Sequence, residues 1–203
     1  MNLELDILRE LFNISVGKAS SLLSEIIDRK IILNVPDVRI LDMDNNINMQ
    51  NFLPEKPDGI FMISSISFDY ELEGKASMIF SAEKMRIFID LCLNSDETGD
   101  YHEISFSDID IDVIKEIGNI VLNAVVGEIG NLLDLKLTYS LPEVKAYKKD
   151  EFFENKFSSI LVLNITFLIE NTKIEGAIFV HLTINSFSEL MSKINEIKDE
   201  LNE

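Results

Sequence analysis

The chain has 203 residues, 46% of them apolar and 27% charged, a composition that fits a globular fold and excludes a disordered chain. Its formal charge of −18 argues against nucleic acid and anionic membrane surfaces, which attract basic patches. The single cysteine, Cys92, allows no internal disulfide, no apolar run reaches spanning length, and the acidic start MNLELDILRE is unlike a secretory signal, so a cytoplasmic protein is expected.

From Leu3 to Ile27 the apolar residues keep helical spacing, at Leu5, Leu8, Phe12, Ala19, Leu23 and Ile26. At ~100° per residue, Asp6, Glu10 and Asn13 fall within about 60° of arc on the opposite side. Gly17 continues that polar stripe by one turn and leaves room for another molecule to approach. Lys30–Leu41 alternates and is rich in Ile and Val, which predicts a strand; Pro36 puts it at an edge or distorts it. Asp42–Asp58 reads as a loop. Ile60–Leu72 and Lys75–Phe80 read as strands about a turn at Glu73-Gly74, and Ala82–Leu93 as a helix through Met85, Ile87, Phe88 and Leu91.

Asn94–Ser107 is an acidic linker, and after it the order of elements starts again. Ser107 or Asp108 is placed to cap a helix running to about Leu133. Lys136–Lys145 reads as a strand containing Pro142, and Tyr147–Asn155 as a charged loop. Phe157–Ile169 and Ile174–Leu182 read as strands about a turn at Glu170-Asn171-Thr172, Asn185–Ile197 as a closing helix, and Lys198–Glu203 as a polar tail. Asp112, Glu116, Asn119 and Pro142 each follow Asp6, Glu10, Asn13 and Pro36 by 106 residues. LEGKASMIF at Leu72–Phe80 answers IEGAIFVHL at Ile174–Leu182 with an offset of 102. The expectation is a single domain over 1–203, made of two α-β-β-β-α repeats at about 1–97 and 106–197. It is an α/β (α+β) fold whose pseudo-twofold halves share one continuous sheet.

Familiar chemistries find no support. His102 and His181 have no Cys or His neighbours at metal-ligand spacing, so no metal site is expected. There is no glycine-rich phosphate loop and no nucleophile elbow. What remains is D-x3-E-x2-N-x22-P, present twice. Polar residues on the solvent face of a helix are ordinary, but this set is kept where its surroundings have diverged: Lys18 answers Ala124, and Ser21 answers Gly127. The two stripes are therefore the candidate sites.

With ELFNISVGKA and EIGNIVLNAV around them, the two motifs resemble the CheC family of chemotaxis phosphatases, the CheC/CheX/FliY group, over nearly the whole chain. That resemblance implies a phosphatase that hydrolyses the phospho-aspartate of a phosphorylated CheY-type response regulator. It implies no cofactor in this chain, with a divalent metal (Mg2+) and a lysine held by the regulator. Two long motif helices would lie exposed on one sheet face. The implied working residues are Glu10 and Asn13, then Glu116 and Asn119. An asparagine amide cannot serve as a general base, but it can hydrogen-bond a water and hold it in line with phosphorus. Phosphoryl transfer needs that positioning more than proton removal. Each Glu, one turn earlier, is expected to pair with the regulator's lysine and set the register.

Asp6, Gly17, Asp112 and Asn123 are expected to touch the partner, and Pro36 and Pro142 to shape the sheet. ELFN departs from the family's usual wording at Phe12, whereas EIGN, with Gly118, follows it. Two other readings stand beside this one. One is a non-catalytic binding or adaptor protein of the chemotaxis or flagellar switch system, for example a regulator of the deamidase CheD. The other is a small-molecule hydrolase using Glu10 and Glu116 as a carboxylate pair, active without a protein partner.

Overall fold

A computed structural model describes residues 3–42, 59–93, 105–148, 159–169 and 172–201. The elements run α1 (Leu3–Ile27), β1 (Ile31–Asp42), β2 (Ile60–Tyr70), β3 (Gly74–Ser81), α2 (Ala82–Leu93), α3 (Asp108–Leu133), β4 (Leu137–Tyr139), β5 (Glu143–Lys148), β6 (Ser159–Ile169), β7 (Thr172–Leu182) and α4 (Ile184–Glu200). The readings of 43–58 as a loop, of 94–104 as linker and of most of 149–158 as a charged loop lie outside the described residues.

Both long helices stop in the same way. Asp28 and Asp134, 106 residues apart, sit in the left-handed region with φ of 55° and 54°. A short polar side chain tolerates that conformation, which turns the chain out of the helix. The closing bonds match as well: Arg29 N donates to Ser24 O at 3.3 Å and Leu135 N to Gly130 O at 2.9 Å. At its other end α3 is capped by Ser107, whose hydroxyl accepts from Asp110 N while the Asp110 carboxylate accepts from Ser107 N.

All strand pairings are antiparallel, and the sheet order is β1-β6-β7-β3-β2-β4, with β5 also on β2. Exchanging each strand for its repeat counterpart reverses this order, which is what a twofold axis through the sheet requires. The axis passes between β3 and β7, where Ser77 faces Phe179, its own counterpart 102 residues on. Each half also sends its first strand across to the other: β1 pairs with β6, and β4 and β5 pair with β2.

The four helices among the described residues pack on one face, over a core that includes Phe12, Val16, Leu23, Phe68, Met78, Phe80, Phe88, Val121, Val125 and Phe167. Phe167 meets Phe80 and Phe88 edge-on at ring distances of 5.4 and 5.0 Å. The opposite face carries a smaller buried cluster that includes Phe61, Ile63, Ile79, Ile160, Val162 and Phe179.

The boundaries differ from expectation chiefly around the prolines. Lys136–Lys145 is not one strand: β4 ends at Tyr139 and β5 begins at Glu143 and continues to Lys148. Pro142 has no N–H for a ladder, and Ser140 bonds the Ser67 backbone, so the chain breaks between the two strands. Among the described residues the sheet accordingly has seven strands where six were expected. In β1 the register slips between Asn34 and Asp37, so Ile31, Leu33 and Val35 face the helices, and then Val38 does. Ile26 and Ile87, expected in the core, are 54% and 36% exposed. The expected polar tail is helical as far as Glu200.

Beneath its motif, α3 lies close to the sheet. A Cβ on the buried Gly118 would fall on Ser64 Oγ and come within 2.7 Å of Ser64 Cβ. The counterpart in α1 is Phe12, fully buried, which sets that helix on a large side chain instead. Gly118→Ala should therefore destabilise the protein by about 1–3 kcal/mol through overpacking, against a gain of about 1 kcal/mol in helix propensity. Urea denaturation measures the balance.

On the opposite face, burial and then the nearby charge of Lys75 push the His181 pKa down to about 4. Because the folded value lies below the ordinary 6.5, the unfolded chain takes up the proton first. His181 thus lets stability stand in full above about pH 6.5 and lose ground as the pH falls toward 4. His181→Phe should flatten the fall in melting temperature between pH 7 and pH 5.

Candidate functional site

The helices α1 and α3 pack antiparallel on one face of the sheet, with Leu8 and Phe12 near Ile129 and Leu132, and Ala19 and Leu22 near Ile120 and Ala124. Lys18 Nζ approaches Glu128 Oε2 to 4.0 Å across the pair. The two Asp-Glu-Asn stripes therefore lie toward opposite ends of the helix pair. Nothing in this arrangement brings Glu10 and Glu116 together as the facing carboxylates of a single closed cleft.

In the first stripe Glu10 is exposed on α1. Asp6 is half-buried and paired with Arg9 at 2.9 Å through Oδ1, while its Oδ2 is buried with no partner among the described residues. Gly17 is exposed, and a Cβ there would meet open space. Asn13 is bound to the sheet. Its Oδ1 accepts from Val35 N at 2.7 Å, and its Nδ2 donates to Val35 O at 3.0 Å and to Arg9 O at 2.9 Å.

Those bonds have a cause in the strand. Between the Asn34–Thr166 and Asp37–Asn164 pairs, Val35 and Pro36 stand outside the ladder. Val35 is fully buried, so its N–H and C=O need partners from elsewhere. The Asn13 amide matches that donor–acceptor pair. The spacing N-x22-P is then the distance along the chain from the amide to the strand irregularity that it closes. Pro36 shapes the sheet as expected; the same spacing separates Asn119 from Pro142 without such a bond, so spacing alone does not reveal it.

The second stripe differs. Glu116 is exposed, and Asp112 is exposed with Lys115 at 3.0 Å. Leu141, the counterpart of Val35, is 87% exposed in the break between β4 and β5. Asn119 makes no hydrogen bond to that segment. Among the described residues its side chain has one, with Oδ1 accepting from Asn123 Nδ2 at 2.9 Å, one turn further along α3. Asn123 was expected to touch a partner; in the structure it holds Asn119. Its own Oδ1 is buried without a partner where α3 faces α1, in a groove also lined by Ser15, Ala19 and Gly127.

One group escaped the sequence reading. Arg86 of α2 donates to both carboxylate oxygens of Asp110, at 2.8 and 3.1 Å, and to Asp90 at 2.8 Å. All three side chains are largely buried. Burial works to raise the Asp110 pKa, but the hydrogen bonds from Arg86 and Ser107 prevail and hold it below the usual carboxylate range. This ties α2 to the first turn of α3 and fixes where the second stripe starts. No periodic pattern links Arg86 to Asp110, which are 24 residues apart. Among the described residues no cluster of three His, Cys, Asp or Glu is placed to hold a metal ion, and no helix is long and apolar enough to cross a membrane.

Comparison with known proteins agrees with this architecture. Residues 3–40, which hold the first motif through Pro36, match the CheC-like family. The chain is 25% identical over 141 residues to the CheY-P phosphatase CheC of Bacillus subtilis (strain 168), a match covering 70% of this chain and 65% of that protein. In three dimensions it is similar to FliY of Thermotoga maritima, with a TM-score of 0.74 and 20% identity over 97% of this chain and 98% of that one. It is also similar to the FliM middle domain from H. pylori, with a TM-score of 0.64 and 13% identity over 95% of this chain and 99% of that one. The resemblance to the CheC/CheX/FliY group holds, as does the expected duplicated α/β fold.

Asn13→Ala removes both partners of the buried Val35 backbone groups. It should destabilise the protein by about 1–3 kcal/mol in chemical denaturation. Asn119→Ala, which leaves no strand backbone unpaired, should cost less than about 0.5 kcal/mol.

Proposed function

We propose that this chain, which resembles the CheC/CheX/FliY group, hydrolyses the phospho-aspartate of a CheY-type response regulator, with α3 carrying the working site. The observation that carries this is the pairing of the exposed Glu116 with an Asn119 amide whose Nδ2 donates to none of the described residues. The 25% identity to the CheY-P phosphatase of B. subtilis supports the same substrate class.

Glu116 lies one turn before Asn119, so the two side chains leave the helix on one face. A carboxylate there offers a partner lysine an ion pair and sets the register in which the helix meets the regulator. Asn119 then reaches the acyl phosphate and donates a hydrogen bond to the attacking water, holding it in line with phosphorus. The amide neither gives nor takes a proton; it restricts where the water sits. The divalent metal and the lysine that offset the phosphoryl charge belong to the regulator in this reading.

The α1 site has the same residues in a different state. Glu10 is free to dock, but the Asn13 amide is spent on Val35. Using it on water would require breaking both bonds to a buried strand, at a cost of about 1 kcal/mol or more each. That observation favours a second, narrower reading for α1 alone: a docking surface without turnover, in keeping with a fold that FliM also adopts. CheD remains a proposed additional partner.

Phosphate release from a phosphorylated CheY-type receiver of the same genome tests the proposal. Asn119→Ala should lower kcat about 100-fold with little change in KM, the usual scale for loss of one aligned donor. Glu116→Ala should raise KM about tenfold or more, as expected for removal of one partner of a close ion pair. Asn13→Ala, assayed below its melting range, should keep most of the activity. Equal losses from Asn13→Ala and Asn119→Ala would refute the assignment to α3.

A further inference from the structure

We infer that Asn123 is a positioning residue that sets which end of the Asn119 amide faces outward; this rests on the phosphatase reading above. An asparagine side chain carries one acceptor and one two-proton donor at nearly the same shape, so a small bias decides which is presented. Asn123 Nδ2 donates to Asn119 Oδ1 at 2.9 Å. That bond draws the oxygen toward the neighbour at i+4 and turns the NH2 group away from it. A group waiting at the site then meets a donor, which suits the oxygen of a water or of a phosphoryl group and repels a cation.

The first helix shows what happens without this neighbour. The residue in the place of Asn123 is Gly17, with open space where a side chain would be. Asn13 has no partner one turn ahead, and its amide is taken up by Val35 instead. The residue four positions beyond each asparagine thus differs between the presented amide and the spent one, together with the strand each amide faces. The retained Asp, Glu and Asn are the same in both stripes, so the difference in state comes from residues outside the motif.

Chemically, the two possible orientations respond oppositely to one substitution. Asn123→Asp keeps the shape but replaces the donor with a carboxylate. The Asn119 amide would then turn its NH2 inward to that carboxylate and present Oδ1 outward, toward water and phosphate that need a donor. Asn123→Gln keeps a donor on a longer arm. A purely structural role would not distinguish the two variants by the presence of a donor.

The test measures phosphate release from a phosphorylated CheY-type receiver for the full chain, with melting temperatures recorded in parallel. The inference expects Asn123→Asp to lose about 100-fold in kcat, matching Asn119→Ala, at unchanged KM, while Asn123→Gln keeps most of the wild-type rate. It is overturned if Asn123→Asp retains wild-type kcat, if both variants lose kcat alike, or if the loss falls in KM alone, which would make Asn123 a docking contact. An activity-free readout separates this from failure of the phosphatase reading. In 15N spectra of the free protein, an Asn123 side-chain amide proton should exchange slowly and lose that protection in Asn119→Ala. Wild type inactive on every receiver would sink the phosphatase reading, while unprotected Asn123 protons would sink the positioning role whatever the activity.

Discussion

The antiparallel pairing of β3 with β7 is the constraint on which the rest of the structure depends. It sets Ser77 against its own repeat counterpart Phe179 and so makes one sheet of two equivalent halves. Once the axis is there, β1 reaches β6 and the β4–β5 segment reaches β2, each pairing with the other half. Neither half could bury its sheet alone, because its outer strand neighbour comes from its twin. The same axis places α1 and α3 together on one face, antiparallel, with their N-terminal halves pointing apart. Two sites facing outward follow from the topology before any side chain is considered.

Symmetry of backbone does not carry symmetry of chemistry. Proline at position 36 leaves Val35 buried and unpaired, and the cost of an unpaired buried peptide is large enough to recruit the nearest amide, Asn13. Proline at position 142 breaks its strand altogether, Leu141 turns to solvent, and water can satisfy its backbone. Asn119 is thereby spared. Gly118 adds to the contrast, since it lets α3 sit on Ser64 where α1 rests on Phe12. One duplicated motif thus yields one amide held by the sheet and one whose Nδ2 donates to none of the described residues.

The electrostatics fit a protein partner better than a small molecule. Glu10, Glu116 and Asp112 are exposed and spread along a helix pair, not gathered in an enclosed pocket. Buried charge is used for scaffolding instead. Arg86 draws two carboxylates into a largely dry junction between α2 and α3, and its removal would take the cationic partner from both. Its role is to place the α3 stripe, which it does from a helix that has no motif of its own.

Much of this protein was legible in its residues. Periodicity located both motif helices, the duplication predicted the pseudo-twofold sheet, and the paired Asp-Glu-Asn stripes marked where to look. These features are local or repetitive, and a 3.6-residue or 2-residue rhythm records them directly in the chain. Hydrogen bonds between distant segments leave no such rhythm. Whether Asn13 spends its amide on Val35, whether Asn119 keeps its own free, and which carboxylates Arg86 gathers were decided by how close strand and helix come after folding. Sequence by itself determined the identity and spacing of the two candidate sites. Tertiary structure alone decided that they are unequal, because a buried peptide group must find a partner and an exposed one need not.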